Sequence, residues 1–308
     1  MSQEFEKSIF YGSIVNGNLK QAIEYLSHFP EQADLCRKYI SLFWEECYLT
    51  YGLDAELEEI LLIYQKYYRD AFYLELSAEE ASRRLRDRLA QLLGADPDSP
   101  LDALEESAAE AFRRKSFHIL TGRTGGYYGP YIWKTEVLQH YTVELPEGTR
   151  DYSVKLLDDF VSESWIDYIS FGAVGTGGWS DDDGLIHCVR SAYDLGTEVF
   201  QASLLKHEAQ HAADLAKYKG ISPEELEYRA KLVELIYSVQ RRLLDQFTYE
   251  ANAEGTSHGI AAERILKGFE ERLHMDRAGL AGLPIAEVQA VSRALFAESG
   301  RELADKYC

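Results

Sequence analysis

Apolar residues recur three or four positions apart through most of the chain, with charged residues between them. Leu19 to Phe29, Leu35 to Tyr51, Ala55 to Leu74 and Ser77 to Leu93 carry this spacing, which predicts amphipathic helices. Ser77 with Glu80 three residues later has the form of a capping box and marks one helix start. Gly94-Ala95-Asp96-Pro97-Asp98-Ser99-Pro100 concentrates turn formers and predicts a linker before a further helix, Leu101 to about Ser116. From Phe117 to about Val189 glycine, tyrosine, threonine and tryptophan replace the alanine, leucine and glutamate mixture. That change predicts strands at Tyr131 to Leu138, Gln139 to Val143, Tyr152 to Leu157, Trp165 to Phe171 and Leu185 to Val189, with a hairpin turn at Asp183-Gly184. No repeat period is present. The pattern predicts an α+β protein, mainly helical, with a helical N-terminal region over 1–116 and a second region over 117–308. In the second region a small mixed or antiparallel sheet precedes a long helix.

That helix carries the chemistry. Phe200, Leu204, His207, His211, Leu215 and Tyr218 form one stripe, and Thr197 and Gly220 suit its ends, which predicts about six helical turns. His207-Glu208-Ala209-Gln210-His211 is a His-Glu-x-x-His. Residues four apart share a helix face, so His207 and His211 can offer two ring nitrogens to one zinc ion while Glu208 stands beside it as a general base. Asp214, one turn further on, is a candidate to orient a ligand histidine.

A catalytic zinc needs a third protein ligand and an open position. Ser222-Pro223-Glu224-Glu225 opens a returning helix, with Ser222 as N-cap and Pro223 in the first turn. The cap accounts for Glu225 and the positive helix end for Glu224, which leaves Glu227 as the first choice for the third ligand. Glu234 competes, because strict antiparallel pairing would bring it level with the histidines. His258, opening a later helix, is a candidate donor to the oxyanion of a tetrahedral intermediate, ahead of Tyr228 and Tyr249.

Composition narrows the partners. The chain has 308 residues with 52 acidic and 32 basic side chains, a net charge of -20, which disfavours nucleic acid and anionic membrane surfaces. The N-terminus shows no basic-then-apolar leader, and no apolar run is long enough to span a bilayer, so a soluble cytoplasmic protein is expected. Cys36, Cys47, Cys188 and Cys308 are scattered and read as reduced thiols. The glycine-rich stretches 121–130 and 172–179 lack phosphate-loop spacing and read as ordinary loops or borders of a cleft.

On His207-Glu208-x-x-His211, the chain resembles the zincins, a family of zinc metallopeptidases in which a sheet precedes the motif helix and its edge strand pairs with extended peptide. The stretch between Ser170 and Val189 stands where that strand would fall. Asp214 and Lys217 occupy the places where metzincins have glycine and histidine, which excludes that branch. Glu227-Tyr228-Arg229-Ala230 is similar to the Glu-x-x-Ala of gluzincins, although no asparagine precedes the glutamate and Lys231 stands where some members have aspartate. The resemblance covers about Ser170 to Leu235. It implies peptide-bond hydrolysis of a peptide or protein substrate, with zinc held by His207, His211 and Glu227 and with Glu208 and His258 as catalytic residues. A non-catalytic zincin-like protein that binds a partner is the alternative, and hydrolysis of another acyl group is a third reading.

Overall fold

The computed structural model describes residues 4–181, 184–240, 242–251 and 256–307. The chain opens with helices α1 (Lys7–Val15), α2 (Leu19–Ser27), α3 (Ala33–Tyr39), α4 (Ala55–Tyr68), α5 (Ala78–Leu93) and α6 (Leu101–Arg113). Strands follow: β1 (His118–Leu120), β2 (Arg123–Thr124), β3 (Tyr127–Tyr128), β4 (Tyr131–Trp133), β5 (Thr135–Leu145), β6 (Gly148–Asp158) and β7 (Ser162–Glu163). After α7 (Ser164–Ser170) come β8 (Gly178–Ser180) and β9 (Ile186–Val189). The remainder is helical: α8 (His207–Lys217), α9 (Pro223–Tyr237), α10 (Arg242–Glu250), α11 (Ser257–Leu273), α12 (Arg277–Leu280) and α13 (Ile285–Tyr307). The protein is thus α+β and mainly helical. No helix among the described residues is long and apolar enough to cross a membrane.

Two compact units divide the chain: Met1–Thr135 with Asp158–Thr176, and Glu136–Leu157 with Gly177–Cys308. The change of composition at 116/117 therefore does not mark a division between cores. Ile132 of β4 and Trp165, Tyr168 and Ile169 of α7 are buried in one cluster with Phe10, Tyr39, Tyr64, Phe72, Leu85 and Phe112 of the N-terminal helices. The strand expected over Trp165 to Phe171 is helix α7, since Trp165, Ile166, Tyr168 and Ile169 are buried at helical spacing. Its aromatic and β-branched content reflects burial rather than a pleated strand. Residues 135–145 form one continuous strand where a break at Leu138 was expected. The stretch 121–130 is a local hairpin, β2 pairing with β3 across Gly125 and Gly126, whose φ values of +58° and +87° suit glycine.

Glu163, just before α7, gives the first unit a pH dependence. Burial, and then the nearby Asp167 carboxylate, raise its carboxyl to about 7. An unfolded glutamate titrates near ~4.3, so the stability linked to this proton is complete below that value and is lost as pH rises through about 7. Glu163→Gln is expected to melt a few degrees above the natural chain at pH 8 and level with it at pH 4. Thermal unfolding of the two chains across that range checks this, and parallel profiles would show that Glu163 does not set the slope.

In the second unit the sheet runs β5-β6-β9-β8. β6 and β9 are parallel, with Val154 opposite Ile186, and β8 is antiparallel to β9, with Gly178 opposite Cys188. Val143, Tyr152, Val154, Leu156, Ile186 and Cys188 of this sheet share a core with Phe200, Leu204, Leu232, Leu266 and Phe296 of the helices. The sheet packed against the motif helix is thus small and mixed. Gly178 can be nothing larger, because a Cβ there would stand 2.3 Å from the His187 carbonyl oxygen. Of the expected turn, Asp183 lies outside the described residues, while Gly184 has φ +84° and its N–H donates to the Asp181 carbonyl. Cys36, Cys47 and Cys188 are free thiols, and Cys308 lies outside the described residues.

Candidate metal centre

The motif helix begins at the first histidine. Residues 199–206 before it are π-helical, where an α-helix was expected, and α8 proper starts at His207. A local tie accompanies the wider turn. The Glu198 carboxylate, at the entry to the run, accepts from the Ser238 hydroxyl at 2.7 Å and from the Val239 N–H at 2.6 Å, pinning it to the end of α9. The returning helix starts as its sequence predicts, with Ser222 accepting from the Glu225 N–H at 3.4 Å and Pro223 in the first turn.

These two helices bring the candidate ligands together. The His207 and His211 rings lie 4.5 Å apart; His207 is buried with Glu208, Glu227 and Glu234, and the His211 side chain is 14% exposed. Glu227 Oε2 stands 3.5 Å from His207 Nε2, and Oε1 stands 3.8 Å from His211 Nε2. Two ligands each ~2.1 Å from a tetrahedral zinc stand roughly 3.4 Å apart, so these separations fit a shared ion better than direct hydrogen bonds. Glu234 Oε1 instead lies 2.7 Å from His207 Nδ1, a hydrogen bond, and Glu234 also accepts from the Ser203 hydroxyl. The two carboxylates thus divide the work: Glu227 faces the nitrogens available for a metal, and Glu234 holds the opposite edge of one ring.

Among the described residues, the group that offers one ligand atom each, all within 4.8 Å of one another, is His207, Glu208 and His211, without Glu227. Orientation argues against Glu208 as a ligand. It meets His211 at Nδ1, 3.7 Å away, whereas both Nε2 atoms face Glu227. Glu208 also accepts a hydrogen bond from Ser180 at the end of β8. His258 Nδ1 lies 3.1 Å from Glu227 Oε2, with its side chain 58% exposed, so it stands at the open edge of the cluster.

Burial dominates the electrostatics. It lowers His207 to about 3 and His211 well below the usual histidine range, aided by neighbouring cationic groups, so both rings are neutral. Burial also raises Glu208, Glu227 and Glu234 to about 7 each. Lys231, itself buried and paired with Glu250, pulls Glu227 and Glu234 back toward the charged form. The His211 Nε2 and Glu227 Oε2 atoms are buried and make no hydrogen bond. Neutral imidazoles and crowded carboxylates with unsatisfied atoms turned inward fit a divalent cation such as zinc.

Other sequence candidates lie elsewhere. Asp214 is engaged by Arg229 at 2.8 Å rather than by a histidine. Tyr228 lies under the Arg264 guanidinium at 3.9 Å, and Tyr249 is 72% exposed. Ser180, Ser203 and the Lys231–Glu250 pair were not foreseen. Ser203 lies four residues before His207, a spacing that could have flagged it. The chain matches no family model, no curated protein and no solved structure.

Proposed function

We propose that the chain is a zinc-dependent metallopeptidase in which His207, His211 and Glu227 hold the metal. The observation that carries this reading is the pair of Nε2 atoms facing one carboxylate, with the His211 nitrogen buried and unbonded. Zinc at such a site supplies Lewis acidity, which acidifies water and polarises a scissile carbonyl. Glu208 takes the proton of the attacking water and returns it to the departing amine, and the Ser180 hydrogen bond fixes the carboxylate for that task. His258 at the open edge donates to the oxygen of the tetrahedral intermediate. A peptide in extended form suits the position of β8, which ends the sheet and carries Ser180.

Elemental analysis of protein purified without added metal, alongside His211→Ala, tests the reading. We expect about one zinc per natural chain and none in the variant. Absence of zinc from the natural chain, even after zinc is supplied at neutral pH, would overturn the reading and leave the partner-binding alternative.

A further inference from the structure

Arg229 is among the largest wholly buried side chains of the described residues. Its guanidinium spends its donors in three directions: Nε to Asp214 at 2.8 Å, Nη2 to Glu147 at 3.2 Å and Nη1 to the Phe296 carbonyl at 3.4 Å. Its face lies 4.0 Å from the Phe296 ring. One residue therefore ties together α8, α9, α13 and the turn between β5 and β6. Replacing a buried ion pair by apolar side chains of similar size is often neutral or stabilising, so core stability alone gives little reason for an arginine here.

Its place relative to the histidines suggests another reason. Asp214 lies three residues after His211, ~4.5 Å along α8, and Arg229 lies two residues after Glu227, ~3 Å along α9. The bridge therefore crosses between the same two helices as the candidate metal ligands, within one turn of them. A single crossing point leaves two helices free to rotate and slide about it. A second, rigid crossing with directional hydrogen bonds removes that freedom.

We propose that Arg229 is a positioning residue for the metal centre, holding α8 and α9 at the separation and rotation that let Glu227 face both Nε2 atoms. This rests on the metal-site reading above and concerns how that site is kept assembled before metal arrives. Through Phe296 it also makes the C-terminal helix part of the support.

The test is zinc affinity, measured by competition with a chromophoric chelator, together with thermal unfolding of the metal-free proteins. In Arg229→Met combined with Asp214→Leu, no buried partner is stranded within the pair. We expect this double variant to unfold cooperatively and to bind zinc roughly 10- to 100-fold more weakly. Arg229→Lys keeps the charge but not the three-way fork, so a loss of about tenfold is expected there, and it decides the matter if the double variant does not fold. Arg277→Met, which removes a pair with Glu263 and Glu270 elsewhere in the same unit, should leave affinity unchanged. A folded double variant with natural zinc affinity, or Arg229→Lys with natural affinity, would overturn the positioning role while leaving the metal site standing. A natural chain that takes up no zinc would overturn the metal-site reading itself, and the positioning role with it.

Discussion

Glu208→Gln is expected to bind zinc as the natural chain does and to hydrolyse peptide roughly 10³-fold more slowly. The two halves of that expectation come from different contacts. Glu208 approaches His211 at Nδ1 and takes a hydrogen bond from Ser180, so it lies beside the Nε2 atoms without facing them. Glutamine has the same shape and can still accept from Ser180, which leaves the proposed ligand set intact. It cannot carry a proton from water to a leaving amine. Zinc content and turnover of any peptide cleaved by the natural chain check both halves. Undiminished turnover would remove Glu208 from the reaction, and lost zinc would make it a ligand.

The second large effect separates two glutamates on one helix face. Glu227→Ala removes a group at coordinating separation from both histidines and is expected to lower zinc affinity by more than ~10³-fold. Glu234→Ala removes the carboxylate that holds His207 Nδ1, and the expected loss is only roughly 10- to 100-fold. Competition titration of both variants, with unfolding monitored in parallel, gives the order. If Glu234→Ala is the more damaging, the ligand assignment must be exchanged.

Most of the element pattern was legible in the sequence because helix periodicity extends over whole segments, as in α4, α5 and α9. The sheet was harder to read. Trp165 to Phe171 looked like a strand because its residues favour strands, yet burial in the N-terminal core selected a short helix. The boundary between units was hidden because β5 and β6 leave the first unit and β7 and α7 return to it, a topology that local composition does not encode. At the centre, the His-Glu-x-x-His fixed a helix face, and helix-start chemistry at Ser222 singled out Glu227. Distance and orientation were needed to separate Glu227 from Glu234, since both lie on the inward face of α9 and sequence spacing does not say which ring edge each carboxylate meets. Asp214 shows the opposite limit. It lies one turn from His211, and its partner comes from α9, fifteen residues away.

The π-helical run before His207 has a consequence for changes of chain length. Each hydrogen-bonded ring in such a run contains one residue more than in an α-helix. Loss of one residue there would let the run close with ordinary helical bonds. The segment ahead of it would then keep its facing, and His207, Glu208 and His211 would keep their places on α8. The joint between the sheet and the first histidine thus holds one residue of slack, and the tie from Glu198 to Ser238 and Val239 takes it up.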